Sequence, residues 1–356
     1  MKHPAHSILK FLAIISGFVL IVICGFLGFI TLTEYNPKGV SFPEIQGRGI
    51  SFDSTKKEFT FFTWNIGYAG LDSKMDFFYD GGRQVIPDLC EFQRTFSGIK
   101  EMILSNSAVD FIFFQELDIR SKRAYHTNEL QELSKNLPEY FYIFGKNYDC
   151  QYVPIPLYQP MGKVISGIAT FSRYQPVKSE MVPLESNFSW PRRLAMLKRC
   201  FLIMKFSLDN GKELVVINIH NSAYDFTGEL REKEIRILSI YLKQEFRKGN
   251  YVIAGGDWNS NPPGYKPQKV VSGDLVVPLD NPVDSSLFPG WQFVFDSRES
   301  SNRFTDMPYL KGKTRTTLID FFLVSPNIMV KKVHTISTNF ANSDHQPVML
   351  KIQLKK

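Results

Sequence analysis

Cysteine is scarce in this chain. The 356 residues include four cysteines, and no two of them have the Cys-x-x-Cys spacing. This excludes a framework of disulfide bonds and a cysteine-rich zinc site. We expect Cys90, Cys150 and Cys200, which follow the apolar first segment, to be buried as small hydrophobic side chains.

A strong charge of either sign is also absent. The formal net charge is +7, a modest excess for this length. It suits an anionic partner, but a solvated lysine-rich face explains it equally well. Aromatic residues make up 14% of the chain and are spread along it, which indicates an ordered globular protein. The length allows a single large sandwich domain.

Charge is missing altogether from Phe11 to Thr33. This apolar run is long enough to cross a bilayer as a helix. It lacks an Ala-x-Ala cleavage pattern, so a cleaved secretory signal is the second interpretation. Lys2 and Lys10 precede the run, which predicts a cytoplasmic amino terminus with the rest of the chain outside.

The predicted organisation has four parts. Residues 1–10 form a cytoplasmic tail, residues 11–33 a transmembrane signal anchor, and residues 34–57 a linker rich in Pro and Gly. We expect this linker to hold the folded part, residues 58–356, away from the membrane. If the signal is cleaved instead, the protein is secreted.

The stretch Tyr251–Asn259 predicts a buried strand that ends in a tight turn at a Gly pair. It places Asp257 and Asn259 one residue apart at the end of the strand. Strand ends are where ligands and catalytic groups collect in layered α/β proteins. A plain turn capped by Asn259 is the alternative.

Other predicted strands also end in polar side chains. Helical periods are predicted over residues 92–106, 127–137 and 229–248, an ordered loop over 148–160, an irregular stretch over 261–284, and a hairpin turn at Asp209–Gly211. Asp320 is expected in the middle of a strand over residues 317–324. The other polar side chains expected at strand ends are Asn65, Glu116, His220, Asp344 and His345.

These side chains are the types that hydrolyse a phosphoester with a hard divalent cation. Carboxylates hold Mg²⁺, the cation neutralises phosphate oxygens, and a carboxylate or histidine prepares the attacking water. Each residue alone has a structural alternative: Glu116 as a cap, and His220 or His345 as a hydrogen-bonded structural histidine.

Six short motifs follow one another along the folded part of the chain. They are Thr63-Trp-Asn-Ile66, Phe114-Gln-Glu116, Ile217-Asn-Ile-His220, Gly256-Asp-Trp-Asn259, Leu318-Ile-Asp320 and Ser343-Asp-His345. In this order they resemble the endonuclease/exonuclease/phosphatase superfamily, the group of deoxyribonuclease I and the neutral sphingomyelinases, over about Phe59 to Leu354. The resemblance implies a four-layer α/β/β/α sandwich of two mostly antiparallel sheets, which here follows the predicted transmembrane helix.

The resemblance also implies roles for the site residues. Glu116 would be the principal Mg²⁺ ligand, with Asn65 and Asp344 at or near the metal, and Mn²⁺ as a substitute. Asp257 would orient or deprotonate water. Asn259 and Asn65 would donate hydrogen bonds to phosphate. His345 would stabilise the phosphoryl group or transfer a proton, and Asp320 would fix the tautomer of His345. His220 would be the second histidine of the site.

These features predict a membrane-anchored, Mg²⁺-dependent hydrolase of phosphoesters, with a nuclease-like phosphodiesterase first. A sphingomyelinase-like or inositol-phosphatase-like enzyme is the alternative, and a catalytically silent binding module on the membrane is a second one. The expected partners are a phosphoester substrate, either nucleic acid or a phospholipid or sugar phosphate, and the membrane; no protein partner is implied. Basic residues 190–199 and the aromatic stretch 148–158 are candidate substrate contacts.

Overall fold

The structure is a computed structural model that describes residues 4–184, 188–225, 227–266 and 282–355, with backbone only for residues 4–7. The helices in this part of the chain are α1 Pro4–Leu32, α2 Leu89–Ser105, α3 Glu129–Asn136 and α4 Glu229–Arg247. The strands are β1 Gln46–Gly47, β2 Glu58–Asn65, β3 Phe111–Asp118, β4 Phe141–Val153, β5 Gly162–Ser172, β6 Lys178–Pro183, β7 Cys200–Ser207, β8 Glu213–His220, β9 Tyr251–Asp257, β10 Gln292–Val294, β11 Asn302–Arg303, β12 Thr316–Thr317, β13 Asp320–Val324, β14 Ile328–Thr335 and β15 Val348–Leu354.

The three helices α2, α3 and α4 lie where the helical periods predict them. Each begins or ends at a residue suited to that position. The Asp88 side chain accepts from Glu91 N at the start of α2, and Asn128 accepts from Gln131 N at the start of α3. Gly249, with φ of 86°, follows the end of α4.

Two sheets form the centre of the molecule. The first has the order β1-β4-β5-β3-β2-β15-β14, and the second has the order β10-β13-β9-β8-β7-β6. The pairs β2–β3 and β8–β9 are parallel, and the other pairs in these two sheets are antiparallel. The prediction of two mostly antiparallel sheets is confirmed.

Three hydrophobic cores separate the layers. Phe61 and Phe113 of the first sheet pack with Leu202 and Phe322 of the second, so the two sheets meet face to face. A second core joins the first sheet to α2 and α3, and a third joins the second sheet to α4. The layers therefore follow the α/β/β/α order that the sequence predicts.

Three local predictions are wrong. The strand β4 continues to Val153, so the predicted loop over residues 148–160 begins there, and Asp320 opens its strand instead of lying in the middle of it. The Gly pair is part of β9 and is not an exit turn. A Cβ at Gly256 would lie 2.2 Å from Ile219 O, so the glycine permits close packing of β8 and β9. Most of the predicted irregular stretch over 261–284 lies outside the described residues.

The segment predicted as a spacer is instead packed on the domain. The strand β1 extends the first sheet by pairing with β4, and Ile50 N donates to Arg173 O at 2.8 Å. Phe52 lies between Phe59, Tyr174 and Phe206, with ring centroids 5.2 to 6.0 Å away. Pro and Gly residues mark the bends of this segment, but its apolar side chains are what dock it.

The apolar run forms α1, which is long and apolar enough to cross a membrane over Ile8–Leu32. Its length and composition are those of a membrane anchor or of a signal sequence. The helix continues directly into the docked segment, where Glu34 Oε1 lies 2.7 Å from Lys198 Nζ. Both of these side chains are about nine-tenths buried.

Phe52 provides a test of the docked segment. We expect Phe52→Ala to lower the free energy of unfolding of residues 34–356 by about 2 kcal/mol, because it removes a largely enclosed aromatic side chain. Phe42→Ala is the matched control, since Phe42 is 67% exposed. Denaturant unfolding of the two variants gives the comparison. Equal stability of the two variants would contradict the docking.

Candidate active site

Strand register brings the predicted site residues together. In the second sheet His220 pairs with Asp257, and Asp257 pairs with Asp320, so three neighbouring strands present these side chains at one level. In the first sheet Asn65 pairs with Gln115, directly before Glu116. The segment that precedes β15 adds Asp344 and His345 from the other side of β2.

Glu116 lies inside its strand and not at the end of it. Between Phe114 and Leu117 the strand β3 advances by one residue more than its partner β5, which is a β-bulge. The backbone of Glu116 has φ of 53°, a conformation that is costly for a residue other than glycine. The bulge therefore re-aims the Glu116 carboxylate, whose side chain stays 25% exposed.

Asp257 is the centre of the cluster. Its Oδ2 accepts a hydrogen bond from Asn65 Nδ2 at 3.0 Å, and its Oδ1 accepts one from Asn259 N at 2.9 Å. His220 Nε2 lies 3.4 Å and His345 Nε2 3.8 Å from the same Oδ2. One carboxylate thus contacts groups from four different segments.

His345 is held on both ring nitrogens. Nδ1 lies 2.8 Å from Asp320 Oδ2, which also accepts from Ser301 Oγ at 2.7 Å. Nε2 lies 3.0 Å from Asn302 Nδ2. The Asn302 amide can present either its NH₂ group or its oxygen, so the contact serves both protonation states of His345.

His220 is fully buried, and neither of its ring nitrogens has a hydrogen-bond partner among the residues that the structure describes. Its Nε2 lies 3.6 Å from Glu116 Oε1 as well as 3.4 Å from Asp257 Oδ2. A buried polar atom without a partner is costly, and such atoms mark places where water, an ion or substrate completes the contacts. His220 therefore points to a group bound between the two carboxylates.

Burial changes the acidity of the carboxyl groups. It raises the pKa of Asp257 to about 6 and the pKa of Asp344 to about 7, and it raises the pKa of Glu116 as well. Asp257 is thus suited to exchange a proton near neutral pH.

The two histidines are shifted in opposite directions. Burial lowers the pKa of His220 well below its usual value, and the cations Arg199 and His345 add to this effect. Burial opposes protonation of His345 too, but the carboxylates of Asp320, Asp344 and Asp257 outweigh it and raise its pKa well above the usual value. At neutral pH the site therefore holds a neutral His220 beside a cationic His345.

The donor set fits a hard divalent cation. Carboxylate and amide oxygens from Glu116, Asp344 and Asn65 are the ligand types that Mg²⁺ prefers. Asp257, Asp320 and His345 also bring one ligand atom each within 4.8 Å of one another. Asp320 Oδ2 is engaged by Ser301 and His345, whereas the buried Asp320 Oδ1 has no hydrogen-bond partner among the described residues.

The cluster opens into a cleft of about 1340 Å³. Glu116, Asp257, Asn259, Asp344 and His345 line it, whereas Asn65, His220 and Asp320 are buried behind this wall. Asn259 Nδ2 donates to Asn221 O at 2.9 Å and lies 3.3 Å from Asp257 Oδ2. A phosphate bound by Asn259 must replace one of these contacts.

Sequence reasoning missed several groups of the site. Ser301 and Asn302 lie in a stretch with no recognisable motif, and β11 brings them to His345 by long-range pairing. Arg199, predicted only as part of a basic patch, lines the cleft, and its buried Nη1 has no hydrogen-bond partner in the described part of the chain. Its adjacent Lys198 is used instead to bind Glu34. The spacing of charged residues along the sequence does not show which of Lys198 and Arg199 faces the cleft.

The four-layer sandwich and the convergent acid, amide and histidine side chains define a hydrolase of phosphoesters. The sequence model of the Endonuclease/Exonuclease/phosphatase family matches residues 62–345, more than half of the chain. The chain belongs to this family, whose enzymes are metal-dependent phosphoester hydrolases, and it is an enzyme of this type.

Solved structures share the fold at low sequence identity. An endonuclease/exonuclease/phosphatase protein from Beutenbergia cavernae has a TM-score of 0.56 at 16% identity, covering 84% of this chain and 72% of that one. TDP2 from D. rerio in complex with single-strand DNA product has a TM-score of 0.53 at 14% identity, covering 84% and 100%. ANGEL2, a 2',3'-cyclic phosphatase, has a TM-score of 0.54 at 13% identity, covering 90% and 100%. No curated protein matches the sequence.

The raised carboxyl pKa values predict a pH dependence of stability. Asp257 and Asp344 bind protons more tightly in the folded state, so their stabilisation is complete below the unfolded pKa of 3.8 and is lost as the pH rises through about 6 and 7. We expect the Tm of the metal-free protein to fall between about pH 4 and pH 7, and Mg²⁺ to raise it by roughly 5 °C at the higher pH, where the carboxylates are free to bind.

Thermal unfolding with and without Mg²⁺ measures both effects. Asp344→Asn should reduce the fall with pH, and Glu116→Gln should abolish the Mg²⁺ shift. Glu132→Gln, at an exposed position on α3, is the matched control. An unchanged Mg²⁺ shift in Glu116→Gln would rule out a metal at this carboxylate.

Proposed function

We propose that this protein is a membrane-anchored, Mg²⁺-dependent phosphodiesterase with nuclease-like chemistry. The observation that carries the proposal is the convergence of Asn65, His220, Asn259 and His345 on Asp257 beside Glu116. Water activation, phosphate binding and charge neutralisation are thereby available within one cluster.

Glu116, Asn65 and Asp344 are the proposed metal ligands. Bound Mg²⁺ would supply Lewis-acid neutralisation of the phosphate oxygens, and Mn²⁺ would substitute for it. The orphaned nitrogens of His220 and the partly exposed Glu116 carboxylate support a charged group at this place.

The chain's own residues account for the proton and charge movements. Asp257 would hold the attacking water and accept its proton, since its pKa of about 6 allows exchange near neutral pH. His345 would stabilise charge on the phosphoryl oxygens or protonate the leaving oxygen, with Asp320 fixing its ring. Asn65 and Asn259 would donate to phosphate, and neutral His220 would hydrogen-bond to a phosphate oxygen.

The candidate substrate classes are nucleic acid and lipid or sugar phosphates. The relation to TDP2, described with single-strand DNA product, and to the 2',3'-cyclic phosphatase ANGEL2 supports nucleic-acid phosphoesters as one class. The cleft-lining Arg199 and Arg192 support an anionic substrate of either class.

Turnover tests the proposed roles. We expect His345→Ala and Asp257→Ala to lower the kcat on a soluble phosphodiester by a factor of about 10² to 10⁴, because each removes a group that handles a proton or charge in the reaction. The measurement is hydrolysis of bis(p-nitrophenyl) phosphate and single-stranded DNA with Mg²⁺, with and without chelator.

Matched controls use the same residue types at exposed positions. His126→Ala and Asp209→Ala should retain full activity, since both side chains lie at the surface. Wild-type rates in His345→Ala, or no metal-dependent turnover of any phosphoester by the native chain, would refute the proposal.

The anchor is proposed to cross the membrane once, with residues 1–10 in the cytoplasm and the catalytic domain outside. We expect the mature chain to retain residues 11–33 and to stay with membranes after an alkaline carbonate wash. Mass spectrometry of the amino terminus and sedimentation measure this. A mature chain that begins after the apolar run and washes off would show a cleaved signal and a secreted protein.

A further inference from the structure

The last turns of α1 form one wall of the catalytic cleft. Phe26, Leu27 and Ile30 line it together with Glu116 and His345. The three apolar residues lie on one face of α1, where Ile30 is buried and the other two are half-buried, while most of the helix before them is exposed. The apolar helix and the active site therefore share one cavity.

The length of α1 places this cavity at the surface of a bilayer. Residues 11–25 rise about 22 Å as a helix, and the side chain of Lys10 can extend to the cytoplasmic surface, so together they cover most of the roughly 30 Å of the hydrocarbon layer. Residues 26–32 then rise about another 10 Å, which is enough to cross the headgroup layer on that side, roughly 5 to 8 Å deep. Phosphate groups of membrane lipids lie at this level.

An apolar rim lies next to residues that line the cleft; we give this name to Tyr152, Ile155, Leu157, Tyr158 and Trp190, of which Ile155 itself lines the cleft, as do Val153 and Pro191 beside Tyr152 and Trp190. Leu157 is 84% exposed, Tyr158 72% and Trp190 51%. Tyr and Trp are the residues enriched where proteins meet the membrane interface. Exposed apolar groups in such density are unfavourable in water and favourable against lipid.

The rim is fixed to α1 by direct contacts. Trp190 Nε1 donates to Thr31 Oγ1 at 3.2 Å, and the Tyr152 ring meets the Phe26 ring edge-on at 6.0 Å. The buried Glu34–Lys198 pair secures the chain directly after α1. If α1 spans the bilayer, these contacts bring the rim to its surface.

We propose that the apolar rim docks on the bilayer around α1 and that the cleft takes a membrane-lipid phosphodiester as substrate. This inference rests on the proposed function for the chemistry and on α1 for the placement. The acyl chains remain beside α1 in the leaflet, and the phosphate group reaches Glu116, Asp257 and His345.

The lining of the cleft favours a lipid over a nucleic acid. It combines an apolar group, formed by Phe26, Leu27, Ile30, Ile155 and Met161, with the polar groups of the site and the arginines Arg192 and Arg199. An amphiphile matches this combination, because its apolar part and its phosphate each meet groups of the same kind. A nucleic-acid chain needs a path that continues past the site. Here α1 closes that path on one side.

The reaction balances with water alone. A bond forms between the water oxygen and phosphorus, and the bond from phosphorus to one ester oxygen breaks with its electron pair. The leaving oxygen receives a proton and departs as an alcohol. Cleavage on the lipid side releases a water-soluble phosphomonoester, and cleavage on the headgroup side leaves a phosphorylated lipid.

Bilayer contact is measured first, without reference to activity. In the full chain carrying Trp190→Phe, the remaining tryptophans Trp64, Trp258 and Trp291 are buried. Leu157→Trp in this background adds one reporter at the rim. In phosphatidylcholine vesicles with brominated acyl chains, we expect its fluorescence to be quenched, with a decrease of about half in the added signal.

Leu104→Trp in the same background is the matched control. Leu104 is 50% exposed and lies near the end of α2, at the edge of the domain opposite the cleft. Quenching at position 157 that is no greater than at position 104 would overturn the docking proposal, whatever the enzyme cleaves.

Turnover then separates the substrate from the chemistry. The doubly charged variant Leu157→Glu/Tyr158→Glu should lower hydrolysis of sphingomyelin, phosphatidylcholine or phosphatidylglycerol in vesicles about tenfold, since it weakens docking by that factor. Bis(p-nitrophenyl) phosphate hydrolysis should stay unchanged, and Leu104→Glu should change neither rate. The full chain in vesicles is used throughout.

The outcomes are distinct. Cleavage of single-stranded DNA without cleavage of any vesicle lipid would refute the lipid substrate and leave the proposed phosphodiesterase intact. Equal lipid turnover by the rim variant and the native chain would refute the role of the rim. Absence of metal-dependent turnover of every phosphoester, the soluble diester included, would refute the proposed function, while the quenching experiment would still decide the docking.

Discussion

A carboxylate buried between two sheets is the constraint on which the candidate site depends. Asp257 is 1% exposed, and it has hydrogen-bond donors because the ends of both sheets are held at one level. Asn65 reaches it from the first sheet, and His220 lies beside it on the parallel neighbour β8. Any slip of one strand by a single residue would turn these side chains to the opposite face. The geometry of the site therefore depends directly on the register of the strands in both sheets.

Much of this arrangement can be predicted from the sequence. Buried strands such as β8 and β9 are nearly continuous apolar runs, so a polar residue after the run marks the strand end, as at His220 and Asp257. Because β8 is parallel to β9, His220 and Asp257 end at the same edge of the second sheet, as Asn65 does in the first. His345 joins them because it precedes β15, which runs antiparallel to β2. The ordered motifs, which resemble those of the family, give the remaining correspondence between the strands.

Other parts depend on contacts that a linear pattern does not carry. The bulge at Glu116 adds one residue within an apolar run, and no composition signal marks it. Asn302 is placed by pairing with a segment about forty residues later in the chain. In residues 34–57 the frequent Pro and Gly predict a free linker, whereas Phe52 and Ile45 determine that the segment packs on the core. Local propensity locates bends, but it does not report whether the residues between them find a partner.

The Glu34–Lys198 pair has a mechanical consequence. A buried ion pair is poorly replaced by water, so the joint between α1 and the domain resists bending. With α1 across a membrane, the domain cannot swivel freely, and the tilt of the helix sets the height of the cleft above the lipid. Tilt responds to the thickness of the bilayer, because a helix longer than the hydrocarbon layer leans to fit it. A stiff joint of this kind makes the thickness of the membrane a variable that the catalytic domain can sense.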